Sequence, residues 1–158
     1  MNKHIHTHVN KVIDQISHLY KSSYRLRWES VEMCKQLDTV VSDRDIIVAG
    51  FLSNFHKLLI KPDNKFEVAA QQLRIYGFGQ NVTTPILLLK YIGQTDPMAQ
   101  IIKENNQWYF HSQIIHNTNI IVQNELKHQS PHTKLDAVAW HKYLSEVYSS
   151  LYRSSLGK

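Results

Sequence analysis

The sequence predicts a mainly α-helical protein that forms a single domain over residues 1–158. Apolar residues recur at three- and four-residue spacing over most of the chain, which is the pattern of amphipathic helices. Capping residues, glycines and prolines lie between these stretches, where helices start and stop. The length suits one hydrophobic core, since domains commonly hold roughly 100 to 200 residues. We divide the chain into N-terminal helices (1–41), a core (42–126) and a C-terminal helix (133–156).

The N-terminal segment carries an apolar stripe with the spacing of a coiled-coil seam. The stripe consists of Ile5, Val9, Val12, Ile16 and Leu19. We expect a first helix that ends at about Lys21, a break at residues 22–23 and a second helix over 24–40.

The core begins with a strong helix-start signal at Ser42, which two aspartates follow. Residues 46–60 are apolar around most of the helix circumference, so this helix is the predicted centre of the protein. A further amphipathic helix is predicted over 66–76, and Gly77 is its predicted stop.

Two short helices are predicted next, because two capping signals stand directly before prolines. Thr84 is the predicted cap of a helix that runs to Ile92. Thr95, with its neighbour Asp96, is the predicted cap of a second helix over 98–104.

Residues 107–123 have the composition of a β-hairpin. Aromatic residues at 108–110 and β-branched residues at 120–122 flank an Asn-rich turn at 116–119. A continuous helix through the same residues is the competing interpretation.

The C-terminal helix is predicted from Thr133, its expected cap, to Leu156. Its apolar face carries Ala137, Trp140, Leu144, Val147 and Leu151. We expect this face to pack against the N-terminal stripe, either within one chain or across the axis of a homodimer.

Composition favours an anionic partner, since the formal charge is +5 and the pI is near 9.3. The basic residues are scattered, and the nearest to clusters are Arg25 with Arg27, and Lys57, Lys61 and Lys65. A solvated basic surface explains this charge as simply as a nucleic-acid footprint does. No apolar run is long enough for a signal peptide or a membrane span, so a cytoplasmic protein without membrane contact is expected.

No sequence motif commits the chain to a reaction, whether a nucleophile elbow, a phosphate-binding glycine loop or a His-Glu-x-x-His pair. Cys34, the single cysteine, is predicted to be a core residue. His4 and His8 could share one helical face, but a frayed N-terminus is the expectation there. His56 is predicted to be a hydrogen-bonded core histidine. We therefore predict no catalytic residue, no metal and no cofactor.

The order helix, turn, helix, hairpin between terminal helices resembles that of dimeric winged-helix transcription regulators, in order and spacing only. We accordingly predict a small nucleic-acid-associated regulator, in which residues 97–104 enter a major groove. The candidate contacts are Gln94, Thr95, Gln100, Lys103, Asn106 and Asn117. In the competing interpretation both short helices are core elements. The alternative function is an adaptor or inhibitor that binds an acidic protein partner, and a metal-free enzyme is the third hypothesis.

Overall fold

The computed structural model describes residues 2–59, 63–128 and 134–157. Within these ranges the protein contains eight α-helices, two 3-10 turns and no strand, so the predicted mainly helical fold is confirmed. The helices are α1 (Asn2–Lys21), α2 (Tyr24–Val40), α3 (Arg44–Leu52), α4 (Lys65–Tyr76), α5 (Gln80–Leu88), α6 (Pro97–Asn105), α7 (Tyr109–Lys127) and α8 (Ala137–Leu156). The 3-10 turns are Phe55–Leu58 and Leu89–Tyr91.

The first two helices have the predicted bounds. Ser23 caps α2, because its Oγ accepts a hydrogen bond of 3.1 Å from the backbone N–H of Leu26. At the end of the first helix Ser22 donates its hydroxyl to the Leu19 carbonyl at 2.7 Å, so two adjacent serines separate α1 from α2.

The terminal helices α1 and α8 pack against each other within one chain. Val9 and Ile16 of α1 and Val147 and Leu151 of α8 are fully buried in the common core. The apolar stripes that suggested a dimer are thus covered inside the monomer. A homodimer remains a prediction for sedimentation to test, but these stripes no longer argue for it.

Helix α3 is the centre of the fold. Every residue from 46 to 52 is buried, and the helix packs on α2, α5, α7 and α8. Its cap is Asp43, whose Oδ1 accepts the backbone N–H of Asp45 at 2.9 Å, and the predicted cap at Ser42 is wrong by one residue.

The predicted helix over 46–60 is wrong beyond Leu52, because the chain turns at Ser53 and Asn54 and continues as the 3-10 turn 55–58. The Ser53 hydroxyl and its backbone N–H both donate to the carbonyl of Gly50, at 2.8 and 3.3 Å. This bonding tightens the last turn of α3 and diverts the chain. Ile60 lies outside the described residues.

A charged network joins α3 to its neighbours. Arg44 donates to Asp38 of α2 at 2.8 Å, and to both carboxylate oxygens of Glu146 in α8 at 2.8 and 3.2 Å. Tyr143 of α8 donates its hydroxyl to Asp38 at 3.0 Å. Three helices therefore meet at one guanidinium group.

Helix α4 has the predicted extent and stop, since Gly77 adopts a left-handed conformation with φ 116° at its C-terminus. The predicted cap of α5 at Thr84 is wrong. The helix starts at Gln80 after Gly79, and Pro85 lies inside it. Val82 and Ile86, one turn apart, are buried on the core side, so tertiary packing outweighs the local proline signal.

Helix α6 lies at the edge of the fold and buries only Ala99 completely. Asp96 is its cap, because a carboxylate oxygen accepts the Ala99 N–H at 3.3 Å, so the predicted cap at Thr95 is wrong. Helix α8 is capped by Asp136, which accepts the Ala139 N–H at 3.0 Å. The predicted cap at Thr133 lies outside the described residues.

The predicted hairpin at 107–123 is wrong, and the competing interpretation of a continuous helix is correct. The buried residues of α7 are Ser112, Ile115, Thr118 and Val122. Their spacing of three, three and four residues is that of one helical face. This face packs on α2, α3 and α5, and its burial outweighs the β-propensity of the surrounding aromatic and branched residues.

Candidate functional site

A cleft of about 540 Å³ opens where the central helix α3 ends. Its walls come from the Ser53–Asn54 turn, the 3-10 turn 55–58, the start of α4, residues 89–92 and the middle of α7. The break in the predicted long core helix therefore creates the cleft. We refer to it as the α3–α7 cleft.

Basic side chains dominate the wall of the α3–α7 cleft. Lys57, Lys65 and Lys90 line it together with His56 and His116, and no aspartate or glutamate does so in the part of the chain that the structure describes. A concave site lined by one sign of charge concentrates ions of the opposite sign. The cleft is therefore suited to an anion.

Lys57 is committed to an internal ion pair. Its Nζ lies 3.1 Å from Oε2 and 3.4 Å from Oε1 of Glu29, whose side chain is only 1% exposed. Arg25 Nε donates to Oε1 of the same carboxylate at 3.2 Å. A buried carboxylate requires such partners, since burying an unpaired charge is strongly unfavourable.

The other two lysines differ from Lys57 and from each other. Lys90 Nζ lies 2.8 Å from Oε1 of Glu67 at the rim of the cleft. Lys65 has no ion-pair partner among the described residues, and its Nζ lies 5.0 Å from the centre of the Phe66 ring. Lys65 is therefore the cation most available to an incoming anion.

His56 forms part of the wall rather than the hydrogen-bonded core position that the sequence predicts. It is half-buried, and its ring meets the edge of Phe66 with 5.1 Å between ring centres. Burial, and then the neighbouring charges of Lys65 and Lys57, lower the pKa of His56 to about 4. The imidazole is thus neutral near pH 7 and can offer both a donor and an acceptor.

Amide side chains form one side of the cleft. Asn54 Nδ2 donates to Oδ1 of Asn119 at 3.2 Å, and Gln123 Nε2 approaches the same oxygen at 3.5 Å from one helical turn away. These contacts tie the turn after α3 to α7. They also fix a row of groups that can bind polar atoms of a ligand.

Apolar side chains complete the wall. They are Phe66, Leu89, Ile92 and Ile115. Ligand sites commonly combine such a surface with a few polar groups that fix orientation. The cleft therefore suits an anion with an apolar body better than a bare inorganic ion.

A second hollow of about 370 Å³ adjoins the cleft, and the two share Lys65, Phe66 and Lys90. Glu67 and Gln94 line the second hollow only. Gln94 is also one of the predicted nucleic-acid contacts, and it is the member of that set that lines either hollow.

The predicted nucleic-acid contacts are only partly brought together. Gln94 donates its Nε2 to the Lys90 carbonyl at 2.8 Å, and its own backbone carbonyl accepts a hydrogen bond from Lys103. Asn106 accepts the Trp108 N–H at 3.0 Å just before α7.

The other three predicted contacts are exposed and do not converge on one surface element. Thr95 precedes α6, and Gln100 lies on α6 itself. Asn117 lies in the middle of α7, because the predicted wing does not exist.

Other candidate reactive groups are internally satisfied. Cys34 is fully buried and donates to the Ile47 carbonyl at 3.6 Å, and burial raises the pKa of its thiol. His6 forms a 2.7 Å hydrogen bond with the hydroxyl of Tyr148, and His8 donates to the Tyr76 carbonyl at 2.9 Å. These contacts hold the N-terminal turns that we expected to fray.

A metal centre is not formed by the described residues. Over 2–59, 63–128 and 134–157, no three histidine, cysteine, aspartate or glutamate side chains cluster closely enough to hold an ion. In the same ranges no helix has both the length and the apolar character required to cross a membrane.

The sequence alone identifies part of the cleft. Lys57 and Lys65 belong to the loose basic cluster of the chain, and Lys61 lies outside the described residues. Lys90 and the amides of α7 carry no such signal, because distant segments supply them.

Comparison with protein-family models, curated proteins and solved structures finds no match to this chain. The function therefore has to be inferred from the geometry of the α3–α7 cleft.

Proposed function

We propose that the protein binds a small organic anion in the α3–α7 cleft. The observation that supports this most strongly is a lining of three lysines and two histidines to which the described residues add no carboxylate. The volume of about 540 Å³ lies in the range of ligand pockets, roughly 300 to 1,000 Å³.

Each group of side chains has a role in this proposal. Lys65 binds the negative charge, because it is the lysine without an internal carboxylate partner among the described residues. Asn54 and Gln123 bind polar atoms, while Phe66 and Ile92 cover the apolar body. Neutral His56 adds a hydrogen bond without adding charge.

The test replaces Lys65 by Met, with Lys11→Met as the matched control. Lys11 is an exposed residue of α1 outside the cleft, so both variants lose one positive charge. A hydrogen bond to a charged group is worth about 1.5 to 3 kcal/mol, so Lys65→Met should weaken the binding of benzoate about tenfold or more. Lys11→Met should leave it unchanged.

Titration by two-dimensional NMR measures the affinity and shows which residues respond. Signals of α7 and of the Ser53–Asn54 turn should shift on addition of benzoate. Equal affinities of the two variants, or shifts confined to other surfaces, would contradict the proposal.

A second candidate function is the nucleic-acid-associated regulator predicted from the sequence, now without a winged-helix fold. Two observations favour it, namely the net charge of +5 and the position of α6 at the edge of the fold with Gln100 exposed. Anisotropy titrations with duplex and single-stranded DNA at low salt test it. Lys103→Ala should weaken binding to all sequences and flatten the salt dependence, and absence of binding at low salt ends this hypothesis.

The adaptor hypothesis is favoured by exposed apolar side chains on neighbouring elements. Met98 and Ile101 of α6 and Phe110 of α7 are each more than half exposed. Met98→Ser together with Ile101→Ser should abolish binding to an acidic protein partner without lowering stability, since neither side chain contributes to the buried core.

A further inference from the structure

We infer that the α3–α7 cleft selects anions with a single negative charge, and that Glu67 is the residue that determines this preference. The inference rests on the proposed function. It follows from the unequal situations of the three lysines in the wall.

Lys57 cannot bind a ligand without removing the partner of a buried carboxylate. Within the described ranges it is the only donor to Oε2 of Glu29, and that carboxylate is 1% exposed. Moving Lys57 towards a ligand would leave this oxygen unpaired inside the protein, which is unfavourable. The charge of Lys57 is therefore neutralised by Glu29 and does not attract a second anion strongly.

Lys90 is held less firmly. Its partner Glu67 is 44% exposed and Lys90 itself is 29% exposed, so water can replace either partner. Such an accessible ion pair changes an equilibrium by only about two- to fivefold. Lys90 is therefore a cation that a ligand can recruit, but only in competition with Glu67.

Lys65 remains as the one lysine of the cleft wall without a carboxylate partner among the described residues. A singly charged ligand can pair with Lys65 and leave both internal ion pairs intact. A doubly charged ligand needs a second cation and has to separate Lys90 from Glu67. This requirement penalises the second charge.

Glu67 occupies the right position for this role. It lines the adjoining hollow and not the cleft itself, so it does not obstruct the ligand. It acts through Lys90, which both hollows share. Glu67 is accordingly a specificity-determining residue that need not touch the ligand.

The experiment compares benzoate with phthalate, which has the same ring and a second carboxylate, at a pH where both are fully ionised. The wild-type protein, Glu67→Gln and the control Glu104→Gln are titrated by two-dimensional NMR. Glu104 is an exposed carboxylate of α6 that lines neither hollow, so the control has the same change of charge.

The wild-type protein should bind benzoate at least as tightly as phthalate. Glu67→Gln should raise the affinity for phthalate relative to benzoate by about two- to fivefold, because Lys90 becomes free. Glu104→Gln should leave the ratio as in the wild type. If Glu67→Gln does not fold, Glu67→Ala supplies the test, and it should raise the same ratio because it also removes the carboxylate that holds Lys90.

The outcomes separate the inference from the proposed function. Tighter binding of phthalate by the wild type, or an unchanged ratio in Glu67→Gln and Glu67→Ala, would overturn the role of Glu67 while the cleft remains an anion site. Failure of both probes to bind the wild type at millimolar concentration would overturn the proposed function as well.

Discussion

Replacing Gly50 by Ala should destabilise the protein, although alanine is the better residue for a helix. Gly50 lies in α3 and faces Leu37 and Met33 of α2. A Cβ atom at this position would lie 2.2 Å from Cδ1 of Leu37 and 3.9 Å from Cε of Met33. Leu37 is fully buried, so turning its side chain away from the new methyl group would press it against other core residues.

The magnitude follows from two opposing terms. Ordinary van der Waals contact begins at 3.4 Å, whereas the new Cβ would lie 2.2 Å from Leu37 Cδ1. Leu37 or the helix therefore has to move by about 1.2 Å. Overpacking of a core costs about 1 to 3 kcal/mol, and a shift of this size belongs at the upper end. Replacing Gly by Ala inside a helix returns about 1 kcal/mol. We expect a net loss of about 2 kcal/mol in the free energy of unfolding.

Urea unfolding followed by circular dichroism measures this loss. The control is Gly157→Ala, where the nearest atom to the new Cβ is 3.7 Å away and the stability should change little. The cause is tested in the Leu37→Ala background, which is itself destabilised by about 2 to 5 kcal/mol but lacks the clashing methyl group. There Gly50→Ala should be neutral or stabilising. A stabilising effect in the wild type, or the same loss in both backgrounds, would refute the argument.

Three further predictions concern protons and backbone strain. The hydrogen bond from Arg44 holds the pKa of Asp38 below its ordinary value. Ionised Asp38 therefore contributes fully to the free energy of unfolding above that ordinary pKa, and this contribution is lost as the pH falls through the pKa of the folded state. Asp38→Asn should reduce the loss of stability that urea unfolding measures below a pH of about 4. The pKa of His56 is lowered to about 4, so the unfolded chain binds a proton first and the free energy of unfolding falls as the pH drops from the ordinary histidine pKa towards 4. NMR should show a neutral His56 ring at a pH of about 5. A His56 ring that titrates near the ordinary histidine pKa would contradict this prediction. Lys65→Met should raise the pKa of His56, because it removes a neighbouring positive charge. Gly93 has φ 87°, and no atom lies within 4 Å of the place that a Cβ would occupy, so Gly93→Ala should lower stability by about 1 kcal/mol through backbone strain alone, measured by thermal unfolding.

Local signals in the sequence are sufficient for several helix boundaries. Ser23 caps α2 through a bond to a residue three positions away, and Gly77 ends α4 through its own backbone conformation. Both depend on near neighbours, which the sequence displays directly. The same holds for Pro97 at the start of α6.

Local signals fail where distant segments decide the structure. Residues 107–123 have strand-like composition, but the burial of Ile115 and Val122 against other helices makes them helical. Pro85 resembles a helix start, yet the packing of Val82 extends the helix in front of it. Propensity is a weak preference that tertiary packing overrides.

The cleft is the least predictable feature, because several separate segments contribute to it. Lys65 and Asn119 are 54 positions apart in the sequence, and no local sequence signal relates them. Lys57 and Lys65 are close in sequence, but no local pattern places either of them beside an amide of α7.

The guanidinium group of Arg44 restricts the rotation of the central helix α3 about its axis. Residues 46–52 of α3 are all buried, so hydrophobic attraction, which is non-directional, gives this helix little rotational preference beyond the fit of individual side chains such as Gly50 against Leu37. A guanidinium group that donates to Asp38 on one side and Glu146 on the other can satisfy both at one rotation only. Arg44 therefore favours one angular position of α3, the position in which Asn54 at the far end of the helix reaches Asn119 of α7. A partly exposed ion-pair network at one end of the helix thereby supports the position of the residues that line the cleft at the other end.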